Sequence, residues 1–201
     1  MSEEVPNVDV ARVDGRVARA LRTRGAIVDA HLELLRDGDL RPTGERIADR
    51  AGVSLRTLWT NFKDMETLFA AAGERLSELQ MAAYRPISPD LPLVRRIDAF
   101  CRQRVTMLEI LTPAARAAVT REPFSPALRR NRAIEINRVR EEIASLFPAE
   151  ISAAGRGGPE LLNAVLMTST YASWSALREH MGLDVAAARG VMTRTVTALL
   201  A

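Results

Sequence analysis

Leu55, Arg56, Trp59 and Thr60 stand at i, i+1, i+4 and i+5, a spacing that puts all four on one face of a helix. A guanidinium that can grip a base edge with two hydrogen bonds, a hydroxyl, an indole N–H and an apolar edge together suit the reading of a DNA groove. The residue types and spacings carry no other chemistry. His31 and His180 lie far apart in the chain with no Cys, Asp or Glu at metal-ligand spacing, so no metal site is expected. Cys101 is the single cysteine, on an apolar helical stripe without a cue for a lowered pKa, and reads as a packed thiol. The pair Glu141-Glu142 has Arg138 and Arg140 beside it and reads as a solvated, ion-paired face. Gly155-Arg156-Gly157-Gly158 lacks the Gly-Lys-Ser/Thr ending of a phosphate-cradling loop. No catalytic residue, enzyme activity or cofactor is expected.

The elements that must hold the four outward residues can be read locally. Thr43 caps a short helix whose inward stripe is Ile47, Ala48 and Ala51, and Gly52 supplies the left-handed backbone that ends it. Val53 sits in the turn and Ser54 caps the next helix, which turns Leu58 and Phe62 inward. Asp64 caps a third helix, with Glu66 in its first turn, running to about Tyr84. Upstream, the first firm helix is expected from about Thr23 to Asp37, with Ile27, Ala30, Leu34 and Leu35 on one stripe and Gly38 ending it. Residues 1 to about 20 read either as a disordered tail or as an arm whose Arg12, Arg16, Arg19 and Arg22 reach a minor groove.

The order IA..AGVS..TLW.NF.D...L, preceded by IVDAHLELLRDG, resembles the N-terminal domain of the TetR (tetracycline-repressor-like) family of bacterial transcriptional regulators. The likeness is dense over Arg24 to Leu68 and thin beyond it. Trp59 stands where that family commonly has tyrosine, Asn61 where it has histidine, and Met65 where a lysine usually reaches a phosphate. The resemblance implies that Leu55, Arg56, Trp59 and Thr60 meet a duplex, with Thr43, Thr57, Asn61 and Lys63 at phosphates. It also implies a palindromic double-stranded operator, a homodimer and an unknown small-molecule effector in the body. Cys101, Arg104, Met107, Leu108, Phe124, Asn137, Met167, Tyr171 and Trp174 are the candidates to line that effector's cavity. Arg104, on an apolar stripe, needs an anionic partner, either a ligand carboxylate or a neighbouring Glu.

The rest of the chain reads as helical throughout, without strand alternation. The proline-rich segment from Arg85 to Pro92 is the clearest boundary. Leu93 to Leu111 carries a stripe of Val94, Ile97, Cys101, Val105 and Leu108, and Pro113 is expected to open a separate short helix to about Arg121. Ser125-Pro126 starts a helix to about Phe147. Pro159 to Met181 is expected as one helix rich in small residues (Ala164, Ser169, Ala172, Ser173 and Ala176). Gly182 stops it, and Asp184 caps a last helix striped by Val185, Ala188, Met192, Thr195 and Leu199. By the resemblance, that last pair would meet its copy as a four-helix bundle; otherwise it closes a monomeric core.

Composition agrees with a globular protein of one or two domains: 201 residues, 47% apolar and 26% charged. The start lacks a secretory signal and no apolar run reaches the roughly 18 residues of a membrane span, so a cytoplasmic protein is expected, with no membrane partner. Lys63 is the sole lysine among 28 basic residues, a bias attributed to a GC-rich genome. From Val10 to Lys63 there are 11 basic against 7 acidic residues, and from Asp64 onward 17 against 15, so the positive excess lies where phosphate would.

The sequence therefore predicts an all-α chain: a flexible basic arm over 1–21, a three-helix helix-turn-helix DNA-binding domain over 22–68, and a helical ligand-binding and dimerisation domain over 69–201. The expected function is a ligand-responsive, sequence-specific transcriptional regulator, a repressor released by a small hydrophobic or amphipathic effector. Two alternatives stand beside it. One is an architectural DNA-binding protein that senses no ligand. The other is a small-molecule binder of the same build whose head has lost DNA.

Overall fold

The computed structural model describes residues 8–201, and among them every regular element is helical, with no strand. No helix among the described residues is long and apolar enough to cross a membrane. The ten α-helices are α1 (Val8–Arg36), α2 (Gly44–Arg50), α3 (Leu55–Asn61), α4 (Met65–Ala83), α5 (Leu93–Ala118), α6 (Pro126–Leu146), α7 (Pro148–Ala153), α8 (Gly158–Thr168), α9 (Tyr171–Ser175) and α10 (Val185–Leu200). The chain forms two compact units, one reaching to Arg75 and the other Leu76–Ala201. The division falls inside α4 and not at the prolines of 85–92.

In the first unit α1 packs on α2 and α3. Its core is Ile27, Val28, Ala30, Leu34 and Leu35 from α1, Ile47 and Ala48 from α2, Leu58 from α3, and Phe62, all buried. His31 is buried there too, its ring 5.9 Å from that of Phe69. Local chemistry sets the ends of the short helices. Thr43 Oγ1 accepts from the Arg46 N–H, Ser54 Oγ accepts from the Thr57 N–H at 3.1 Å, and Asp64 accepts from the Thr67 N–H at 2.8 Å. Gly52, at φ +66°, makes the turn between α2 and α3 in a backbone conformation that a side chain would strain.

The first helix reaches back to Val8 where the sequence pattern starts it near Thr23. The added stretch carries three alanines and four arginines, both good helix formers, and no proline interrupts it. Residues 1–7 of the expected arm, and the side chains of Arg12 and Arg16, lie outside the described residues.

The second unit is built round Phe100, Cys101, Leu108, Ile143, Phe147, Val165, Trp174, Ala188, Met192 and Val196, with α5 and α10 in close contact. Four expectations are corrected here. Pro113 lies inside α5, which continues to Ala118, and the Thr112 hydroxyl donates to the Leu108 carbonyl at 2.7 Å in that stretch. The expected helix over 159–181 is broken at Ser169-Thr170, where Thr170 caps α9, and a π-helical turn, Ala176–His180, follows α9. The buried stripe of α10 is Ala188, Met192, Val196 and Leu200, so Thr195 is exposed and Leu199 only partly covered. Val94 is exposed, because the inward face of α5 begins at Arg96 and Ile97.

Arg96 shows why a short α7 follows α6, an element without a period of its own to announce it. Its guanidinium donates to the Leu91 carbonyl (2.9 Å), to the Leu146 carbonyl at the end of α6 (2.7 Å), and to both Glu150 oxygens on α7 (2.7 and 3.1 Å). One buried cation thus satisfies a helix-end acceptor and fixes the next helix.

Candidate nucleic-acid interface

Leu58 and Phe62 are 0% and 1% exposed, which fixes the roll of α3 and leaves Arg56, Trp59 and Thr60 on its exposed side. Leu55 is half-buried. Arg24 of α1 holds the far end of the helix: its Nη1 donates to the Asn61 carbonyl at 2.7 Å, and its guanidinium carbon stands 4.1 Å above the Phe62 ring. A last-turn carbonyl is satisfied and a cation–π contact of about 0.5–2 kcal/mol is added at the same point. The sequence pattern named Arg24 only as the edge of a resemblance; nothing local marks it as a clamp.

The remaining polar groups divide into those engaged within the protein and those facing out. Thr60 Oγ1 donates back to the Arg56 carbonyl, and Thr57 Oγ1 pairs with Ser54 Oγ, both at 2.8 Å. Asn61 Nδ2 donates to the Thr57 carbonyl at 2.8 Å, which leaves a second amide hydrogen for an outside acceptor. The exposed Thr43 hydroxyl bears on the Glu45 carboxyl, held below its usual range by the backbone N–H of Glu45 and by Thr43.

Charge is distributed unevenly over this unit. Arg46 is paired with Asp39 and Arg50 with Asp37, each at 2.9 Å, and these surface pairs neutralise their part of α2. Arg56 and Lys63 are exposed and have no ion-pair partner among the described residues. Arg19, Arg22, Arg36 and Arg41 are likewise exposed without an ion-pair partner among the described residues, so Arg56 and Lys63 add to a wider positive surface and are the part of it that lies at α3 and the segment just after.

The nine candidate effector contacts are not brought together. Cys101, Arg104, Met107, Leu108, Tyr171 and Trp174 are buried in the second unit, whereas Phe124 is 86% exposed, Met167 62% exposed, and Asn137 exposed. Most of the buried ones are engaged. Trp174 Nε1 donates to Glu109 at 2.9 Å, and burial pushes the Cys101 thiol up to about 11. Arg104, 2% exposed, finds its anion in Glu135 at 3.4 Å and donates to the Ser169 carbonyl at 3.1 Å, the acceptor freed by the break between α8 and α9. Burial lowers its pKa and Glu135 opposes that shift. Glu135 is shared with Arg138, which also reaches Gln80, while the Gln80 amide donates to the Met107 carbonyl at 3.1 Å. This network was not legible in the sequence, because its members come from α4, α5, α6 and the break after α8.

An open groove of about 370 Å³ lies elsewhere in the second unit, lined by Ala83, Pro86, Ile87, Leu91 and Ala99 with Arg85, Arg102 and Gln103 among its polar groups. No group of three or more metal-ligating side chains occurs among the described residues. The chain matches no protein-family model and no curated protein.

Proposed function

We propose that the chain is a TetR-like helix-turn-helix transcriptional regulator that binds a palindromic duplex as a homodimer and acts as a repressor. The observation that carries this reading is the outward set on α3: unpaired Arg56 beside Trp59 and Thr60, on a helix whose other side is fully buried and whose end is clamped by Arg24. Such a helix is rigid enough to read bases, and Thr43, Thr57, Asn61 and Lys63 supply the phosphate contacts around it. Selection of bound duplexes from a random pool tests it. Recovery of an inverted repeat with half-sites about one helical turn apart, roughly 34–36 Å or somewhat more, is the expected result. Recovery of no preferred sequence from a protein that still binds DNA identifies an architectural protein, and absence of binding identifies a small-molecule binder.

A second part of the reading, response to an effector, has the groove near Ile87 and Gln103 as its support, since about 370 Å³ lies within the range of small-molecule sites. Its wall of Ala83, Pro86, Ile87 and Leu91 suits a hydrophobic or amphipathic molecule. Arg104 is already paired with Glu135 and with the Ser169 carbonyl, so its anion is supplied from within the chain. A compound that binds this unit and shifts operator affinity about 5- to 150-fold is the expected finding, the ordinary size of a coupling between sites.

A further inference from the structure

Gly44, the first residue of α2, has no conformational reason to be glycine: its φ lies outside the left-handed region that Gly52 requires. Its reason is steric. A Cβ placed on Gly44 would stand 2.6 Å from Trp59 Cζ2 and 3.2 Å from Leu55 Cδ1. The first distance is one that real Cβ atoms essentially never show, and the second is tighter than most. The indole of Trp59 therefore occupies the volume that a side chain at position 44 would take. The glycine and the large ring are two halves of one fit across the turn between α2 and α3. Trp59 remains 39% exposed with this contact made, and its Nε1–H has no partner among the described residues.

We propose that Gly44 is a positioning residue for DNA binding: by carrying no side chain it lets the Trp59 indole lie against the start of α2, in the one orientation that aims Nε1–H at the duplex backbone. The inference rests on the reading of the first unit as a DNA binder and adds a residue that no helix-turn-helix pattern singles out. It divides the labour on α3. Leu55 and Trp59 are tied to α2 and set the height of the helix over the duplex, while Arg56 and Thr60 are left to distinguish bases.

The test is a cycle of Gly44→Ala, Trp59→Tyr and the double variant in the full-length chain. Each protein is assayed for affinity to a selected and a scrambled duplex and for melting temperature, and the wild type and Gly44→Ala also for the Trp59 Nε1–H resonance, which Trp59→Tyr assigns by its absence. The Trp59 ring, 39% exposed, can swing away from the added methyl at little cost, and alanine removes unfolded-state freedom, so Gly44→Ala should leave the melting temperature little changed. A merely structural role for the fit would lower it instead. Affinity should nevertheless fall about two- to tenfold on both duplexes alike, the worth of roughly one hydrogen bond. The Trp59 resonance should move, and in the smaller-ringed Trp59→Tyr background the alanine should cost nothing further. Wild-type affinity in Gly44→Ala with an unmoved indole resonance, or additive losses in the double variant, would overturn the inference while leaving DNA binding intact. If the wild type binds no duplex at low salt, it is the DNA-binding reading that fails, and the indole resonance alone then reports whether the fit is real.

Discussion

Arg56 and Lys63 are both exposed cations near α3, and the account assigns them different work. Loss of a guanidinium that grips a base edge should cost about 1–3 kcal/mol and relax preference at one base pair, so Arg56→Ala is expected to narrow the gap between selected and random duplexes. Lys63→Ala should weaken both alike and reduce the salt slope by about one, because the contact proposed for it is with phosphate alone. Binding isotherms at several salt concentrations separate the two. Cys101 offers an independent check on the interior: with its thiol pushed up to about 11 by burial, it should resist thiol reagents at pH 8 in the native protein and react once denaturant opens the second unit. Prompt native labelling would mean that the core around Phe100 and Met192 is not closed. At this scale the sequence was readable wherever a residue acts on its own neighbours. The caps at Thr43, Ser54, Asp64, Ser125 and Asp184 depend only on residues two or three positions away, and all were legible. Gly44 and Arg24 were not, since their partners Trp59 and Phe62 arrive by tertiary packing.

Among the elements, α7 depends most visibly on a single tie. The hydrogen bonds from Arg96 hold the Glu150 carboxyl below its ordinary range. A carboxylate whose folded pKa is depressed stabilises the fold above its unfolded value and loses that contribution as pH falls through the folded one. Glu150→Gln is therefore expected to lower stability by about 1.5–3 kcal/mol at neutral pH, the usual worth of hydrogen bonds to charged groups. The difference should begin to shrink as pH falls below the ordinary carboxylate value of about 4.3 and close only once pH has passed below the lower folded pKa, where wild-type Glu150 is protonated as well. Denaturant titrations at neutral and acid pH measure it, and a pH-independent difference would show that the ion pair is not its source. Elements that open on a capping residue, such as α3 at Ser54, α4 at Asp64 and α6 at Ser125, were legible because a cap is a local signal. The continuation of α5 through Pro113 and the break at Ser169 were not. They are decided by what the body supplies to unsatisfied backbone groups, and Arg104 at the Ser169 carbonyl is the clearest instance.

For the whole molecule, a palindromic operator requires two reading heads, and the proposed dimer would use α8 to α10. Met167 (62% exposed), Ala172 and Val191 (41% exposed) lie on that part of the second unit and are exposed among the described residues. Sedimentation at micromolar concentration should give a dimer, and Ala172→Arg should split it if that residue faces the copy; a monomeric wild type contradicts the arrangement. The most direct test of the account is the affinity of the full-length chain for one selected duplex and one scrambled duplex, titrated from low to physiological salt. The account predicts tight binding to the selected duplex, weaker binding to the scrambled one by about 10³-fold or more, and a log-linear loss of both with salt. No binding to either duplex at low salt would contradict it.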